Sequence, residues 1–227
     1  MALLVSLETS TQVCSVALHL NGDLLAMRKQ TQPRSAASLL TVMIGEVLQE
    51  ANYLPTQLQG VIVSSGPGSY TGLRIGVASA KGICYALNVP LVAINTLDLL
   101  AYQAVHLIAN PNALICPMLD ARRMEVYCKV VDGSLIEKEP THAKIIDSES
   151  FKEQLQNNTV YFVGDGALKC KEILGHSNAK FLDQLTPDAN PLGVLGYKKW
   201  LQGNFENTAT FEPYYLKDFL IRKPTAS

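Results

Sequence analysis

The run from Ser64 to Gly76, SSGPGSYTGLRIG, holds the groups best suited to gripping an anion. Gly66, Gly68 and Gly72 carry no Cβ, so backbone N–H groups there can turn closely toward a ligand. Pro67 stiffens the turn. A glycine loop that feeds a helix presents unpaired N–H groups and the positive end of the helix dipole, which suits phosphate. The same residues also suit a tight structural turn, and both readings stand. No Gly-Lys-Ser/Thr follows, the spacing misses the dinucleotide pattern by one residue, and Asn88 to Asn95 holds no acid for a ribose. Ser64, Ser65, Ser69 and Thr71 have no histidine close in sequence, and there is no Gly-x-Ser-x-Gly elbow. Two further clusters are polar. Glu8-Thr9-Ser10-Thr11-Gln12 reads as a polar hairpin tip or a phosphate or metal–phosphate contact, and Asp120-Ala121-Arg122-Arg123 as a self-paired turn or an anion contact.

His19, His106, His142 and His176 are dispersed, without a pair at helical ligand spacing, so no metal centre is expected from them. Cys14, Cys84, Cys116, Cys128 and Cys170 are odd in number and form no Cys-x-x-Cys pair, which argues for reduced thiols in a cytoplasmic protein. The N-terminus meets Glu8 before a signal-peptide core forms. Arg74 and Lys81 interrupt the longest apolar stretch, well short of the ~20 residues of a membrane span. A formal charge of −1 gives no electrostatic footprint for nucleic acid, so if RNA is involved another chain is expected to carry most of the phosphate contacts. Hydrophobic content of 48% against 17% charged residues points to apolar surface covered by a partner.

These groups need elements to hold them. Leu3–Leu7, Val13–Leu20 and Leu24–Lys29 are β-type runs, the last two joined by Asn21-Gly22, a strong hairpin signal. Ser35–Glu50 and Gly72–Asn88 are helices, the second capped by Thr71, with strand Gly60–Val63 between them. Both helices are apolar around too much of their circumference for ordinary surface helices. On the second, Gly72, Gly76 and Ala80, and likewise Ala78, Gly82 and Ala86, recur at four-residue spacing, making flanks that another helix can approach closely. Strand Pro90–Asn95 and a helix from Thr96 to about Ala109 follow, then turn chemistry at Asn110-Pro111-Asn112.

Beyond that turn the pattern restarts. Strands Leu114–Leu119 and Glu125–Val131, an Asp132-Gly133 turn into Leu135–Lys138, a short helix capped by Asp147 or Ser148, strand Val160–Val163, the Gly164-Asp165-Gly166 junction, a helix to Leu174 and a last helix opened by Asn190-Pro191 are expected. Two halves in similar order imply a duplicated α/β fold with a cleft between lobes 1–110 and 111–227, the plan of actin-like ATPases and sugar kinases.

LETSTQVCSVAL at 7–18, SSGPGSYTGLRIG, VPLVAINTLDLLA at 89–101, MLDARRMEVY at 118–127 and PYYL at 213–216 together resemble the TsaB (YeaZ) family over essentially the whole chain. That family supplies the dimerisation subunit of the bacterial machinery for tRNA threonylcarbamoyladenosine. The resemblance implies a two-lobed actin-like (ASKHA, ribonuclease H-like) fold in a paralogue of the catalytic subunit TsaD. The catalytic paralogue binds a metal through two histidines on its first long helix. The matching region here, Gln32-Pro33-Arg34-Ser35-Ala36-Ala37-Ser38-Leu39-Leu40, has none.

The resemblance further implies docking on TsaD through the two apolar helices, with Leu39, Val42, Met43, Glu46, Leu73, Arg74, Val77, Ala80 and Lys81 as partner-facing residues. Glu8 stands where Asp is usual. Glu8, Ser10, Gly66, Gly68 and Ser69 are the nucleotide-proximal candidates, with ATP or ADP at the interface with the paralogue. The expected function is that of a non-catalytic subunit that heterodimerises with TsaD, recruits the ATPase TsaE and meets tRNA through the complex. It supports transfer of threonylcarbamoyl from its AMP adduct to the anticodon-adjacent adenosine, and homodimerises when isolated. The alternatives are an ATP-dependent phosphotransferase using Glu8 and a peptidase acting on TsaD.

Overall fold

The structure is a computed structural model that describes residues 1–31, 36–108 and 110–217, without the side chains of 36–38. The start of the first helix at Ser35 and the segment 32–35 lie outside the described residues, and the third helix ends at Val105, short of the expected Ala109.

The first sheet contains β1 (Leu3–Glu8), β2 (Cys14–Leu20), β3 (Asp23–Gln30), β4 (Gly60–Gly66) and β5 (Leu91–Asn95), in the order β3-β2-β1-β4-β5. β1 runs antiparallel to β2 and parallel to β4, which is parallel to β5. The second sheet repeats this with β6 (Leu114–Asp120), β7 (Glu125–Asp132), β8 (Glu137–Ile145), β9 (Val160–Val163) and β10 (Ala179–Leu182), in the order β8-β7-β6-β9-β10 and with the same directions. The duplication expected from the sequence is therefore a repeat of topology. β10 was missing from that expectation, since AKFL is too short to show a period.

β1 sits centrally and is buried along its whole length. Its alternate residues face opposite sides. Leu3, Val5 and Leu7 join a core with α1 (Ala36–Glu50) and α2 (Tyr70–Leu87), through Leu40, Met43 and Val47 of the first and Val77, Ala80 and Cys84 of the second. Leu4 faces the other way, with Ile62, Val92 and Ile94, toward α3 (Thr96–Val105) and α6 (Ala189–Leu201), which contribute Leu99 and Leu192. Thus α6 lies on the first sheet although it falls within 111–227. In the second lobe α4 (Lys152–Asn157) and α5 (Asp165–Cys170) contribute Leu155, Ala167 and Cys170 to a core with Phe151, Phe162 and Met118.

Asn21 and Gly22 both take positive φ, as the Asn-Gly hairpin requires. At Asp132-Gly133 the loop runs longer. The Asp132 Oδ1 accepts from the N–H groups of Ser134 and Ile136, which delays β8 to Glu137. α2 begins at Tyr70 with Ser69 as cap, its hydroxyl accepting from Gly72 N–H at 3.2 Å, so the cap is Ser69 and not Thr71. α6 is capped by Asp188, which accepts from Asn190 N–H, displacing Asn190 from the cap.

Candidate functional site

The β1–β2 hairpin tip and the Gly66–Gly72 junction fit into each other. Ser69 N–H donates to the Ser10 carbonyl at 2.6 Å, and the Thr9 hydroxyl donates to the Gly72 carbonyl at 2.8 Å. A Cβ at Gly68 or Gly72 would lie well inside van der Waals contact of the Ser10 or Thr9 carbonyl. These glycines serve the approach of one piece of chain to another. The tight-turn reading accounts for them here, with the hairpin in the place an anion would take. A Cβ at Gly66 would press on the Tyr214 carbonyl at 2.9 Å, because the tail returns there and Tyr214 N–H donates to the Ser65 carbonyl at 2.7 Å.

Glu8 closes this arrangement from below. Its Oε1 accepts from Ser10 N–H at 2.6 Å and from the Ser10 hydroxyl at 2.5 Å, while Oε2 has no partner. The carboxyl is fully buried, and burial pushes its pKa up to about 7 against the help of the Ser10 donors. Glu8 and Ser10 are sealed, Gly66 is buried, Gly68 is half-buried and Ser69 is exposed. In this closed arrangement Glu8 and Ser10 are therefore out of a ligand's reach.

The metal that the resemblance assigns to the paralogue finds no fitting donor set among the described residues. His19 is buried against Gly193 and Asn190, His106 bonds the Tyr102 carbonyl, His142 lies beside Glu139 and Cys128, and His176 is on a separate loop. Among the described residues no three His, Cys, Asp or Glu groups come together to hold an ion. At the β6–β7 tip Asp120 pairs with Lys169, whose ammonium also donates to the carbonyls of Arg123 and Glu125 at 2.7 and 2.6 Å. Arg122 and Arg123 both take positive φ and stay exposed. The turn is thus tied through its acid and its carbonyls.

The other candidate surface is the outer face of α1 and α2. Leu73, Val77, Ala80 and Cys84 recur at the spacing of one helical stripe and are buried in the chain's own core, as is Met43. This corrects the expected partner-facing set: Met43, Leu73, Val77 and Ala80 support the helices from beneath. Leu39 is half-buried. Glu46 is exposed and pairs with Arg28 at 3.2 Å, and Arg74 Nη1 donates to the Tyr70 hydroxyl at 3.1 Å. Lys81 donates to the tail carbonyls of Ala209 and Phe211 at 3.1 and 2.9 Å, so its ammonium is engaged within the chain.

Val42 is 51% exposed and Tyr85 89% exposed, and Gly45, Ala78, Gly82 and Ala86 on the same two helices are exposed as well. A Cβ at Gly45 or Gly82 would meet nothing within 4 Å. Tyr85 was missed by the sequence reading. Tyr85 lies about 110° around the helix from the Leu73–Val77–Ala80–Cys84 stripe, on the flank beside Ala78 and Gly82, and projecting that flank would have found it. Among the described residues no helix is long and apolar enough to cross a membrane.

The family model described as "TsaD: tRNA N6-adenosine threonylcarbamoyltransferase" matches residues 29–221. The Haemophilus influenzae "tRNA threonylcarbamoyladenosine biosynthesis protein TsaB" is 28% identical over 95% of this chain and 93% of its own length. A Pseudomonas aeruginosa crystal structure, described as an uncharacterized protein with similarity to peptidase YEAZ, superposes with a TM-score of 0.84 at 25% identity. It covers 96% of this chain and 100% of that one. The ADPNP-bound activator of 2-hydroxyisocaproyl-CoA dehydratase from Clostridium difficile shares the fold at a TM-score of 0.51 and 10% identity, over 90% of this chain and 98% of that one. Paired sheets of one topology, a hairpin locked to a glycine junction and these likenesses place the chain in the TsaD family of tRNA threonylcarbamoyladenosine proteins, on its TsaB/YeaZ branch.

Proposed function

We propose that this chain is a non-catalytic subunit in tRNA threonylcarbamoyladenosine synthesis, and that it acts by heterodimerising with the catalytic paralogue TsaD through the outer face of α1 and α2. The observation that carries this is the open strip of Val42, Gly45, Ala78, Gly82, Tyr85 and Ala86, which leaves small and apolar residues uncovered on two adjacent helices. Small residues let a second helix pair approach closely, and an exposed tyrosine is a frequent energetic anchor of interfaces. The sealed Glu8 supports the non-catalytic part, because in the closed arrangement its carboxyl is buried and cannot meet a nucleotide.

In this reading the composite surface recruits the ATPase TsaE, any ATP or ADP lies at the interface with the paralogue, and tRNA is held chiefly by the other subunits. The assembly transfers threonylcarbamoyl from its AMP adduct to the adenosine beside the anticodon. The isolated chain self-associates through the same face. Size-exclusion chromatography with light scattering tests this, alone and with TsaD. A shift from self-dimer to a one-to-one complex is expected, abolished by Ala78→Glu with the melting temperature retained. Complex formation by Ala78→Glu would remove this face from the interface. ATP turnover by the isolated chain, lost on Glu8→Ala, would favour a phosphotransferase instead.

A further inference from the structure

Among the described residues, Glu8 Oε2 and the hydroxyls of Ser6 and Ser64 on the same sheet face are buried without a hydrogen-bond partner, as are His19 Nδ1, four positions further along β2 than the residue opposite Glu8, and Thr96 Oγ1. Ser6, Glu8, His19 and Ser64 share the face of the first sheet that lies beneath α6, by strand alternation and register, and Thr96 opens α3 just past β5. Buried polar groups ordinarily find partners, and one left without a partner destabilises the arrangement that buries it.

The start of α6 is the cover. Ala189 N–H donates to Ser15 Oγ at 3.0 Å, Asn190 Oδ1 lies 3.3 Å from His19 Nε2, and Gly193 leaves room for the His19 ring. Asp188, the cap of α6, is held by Lys29 at 3.0 Å.

We propose that the seat of α6 on the first sheet is a protonation-sensitive latch. With Glu8 neutral the helix stays closed over it; with Glu8 ionised the start of α6 lifts so that water reaches the carboxylate. The groups around Glu8 offer no counter-charge. Ser6 is its neighbour on β1, Ser10 donates from the hairpin, and Ser15 stands opposite on β2. Ser64 on β4 lies near enough to favour the charged form without closing a good hydrogen bond. Thr96 on α3 is neutral. The Cys14 thiol is pushed up to about 11 by burial and stays protonated, and burial holds His19 below its ordinary value, hence uncharged near neutrality. The charged group facing Glu8 from α6 is Asp188, which repels it.

Burial raises Glu8 from 4.5 to about 7 in the closed form. Opening returns it toward its ordinary value, so the lifted state gains on the closed one as pH rises from 4.5 and levels off near 7. Hydrogen exchange of the full chain between pH 5 and 8, corrected for intrinsic rates and run beside Glu8→Gln, tests this. Protection of the α6 amides from Leu192 to Gly196 is expected to fall, relative to Glu8→Gln, about tenfold per pH unit up to pH 7 and then level.

The α6 amides should also be less protected than those of Val61 to Val63 in β4 throughout. Parallel profiles for wild type and Glu8→Gln, or a single rate shared by α6 and β4 that reports unfolding of the whole lobe, would overturn the latch. Asp188→Asn keeps a capping residue, removes the repulsion and should move the levelling point to lower pH. An unmoved levelling point would also overturn it, and this arm decides the matter if Glu8→Gln does not fold.

Discussion

At Glu8 two donors from Ser10 converge on one carboxylate oxygen, and even so the desolvation of a fully buried group governs its charge. The sign for stability follows from the direction of the shift. A pKa raised from 4.5 to about 7 on folding contributes stability that is full below 4.5 and lost as pH climbs through 7. The loss is on the order of 3 kcal/mol. Urea unfolding at pH 5 and pH 8 should show wild type weakening relative to Glu8→Gln across that interval. Cysteine behaves in the opposite practical sense. All five thiols are buried, and burial pushes Cys14, Cys84 and Cys170 each up to about 11. Native protein should therefore react slowly with a disulfide reagent, and all five should react at once in denaturant, since the thiolate is the attacking species. The sequence left the Glu8–Gln12 tip open between hairpin and phosphate contact. A hydroxyl-rich tip reads alike whether its hydroxyls meet a phosphate or a carbonyl, and the carbonyl in question comes from Gly72, far along the chain.

Helix α2 shows how one element carries two sets of instructions. Its inner stripe of Leu73, Val77, Ala80 and Cys84 builds the core, and its outer strip of Ala78, Gly82, Tyr85 and Ala86 is left bare. Val77→Glu places a charge in that core and is expected to destabilise the chain by several kcal/mol in thermal or urea unfolding, before any question of partners arises. Two glycines on this helix should respond in opposite directions. Gly72→Ala drives a methyl into the Thr9 carbonyl and is expected to cost about 1–3 kcal/mol. Gly82→Ala meets open space within the chain and should stabilise the monomer by about 0.5–1 kcal/mol through helix propensity, read from the melting temperature at concentrations low enough to keep the isolated chain monomeric. Helix existence was legible from apolar periodicity. Which side faced the core was not, because small residues occupy both flanks and only the position of the sheet distinguishes them.

Across the whole molecule, the repeated sheet order was legible as a repeated element order, since strand meanders and glycine junctions recur with the same local signals. The return of α6 to the first sheet was not legible, because nothing local in its sequence states which sheet it will cover. The tail behaves likewise. Glu206 bridges to Leu91 on the open edge of β5, Tyr70 and Tyr215 lie 5.0 Å apart between ring centres, and Lys217 pairs with Glu125 in the second lobe. A chain ended at Gly203 should expose that edge and shift toward oligomers in light scattering, because an unprotected strand edge pairs with others. The seat of α6 also sets the order of synthesis against the order of burial. Leu4, Ile62 and Val92 leave the ribosome early, but Leu192, which shares their core, arrives near the end. The nascent first lobe must wait with that side wet, and premature termination before α6 would harm the first sheet as much as the segment that is lost.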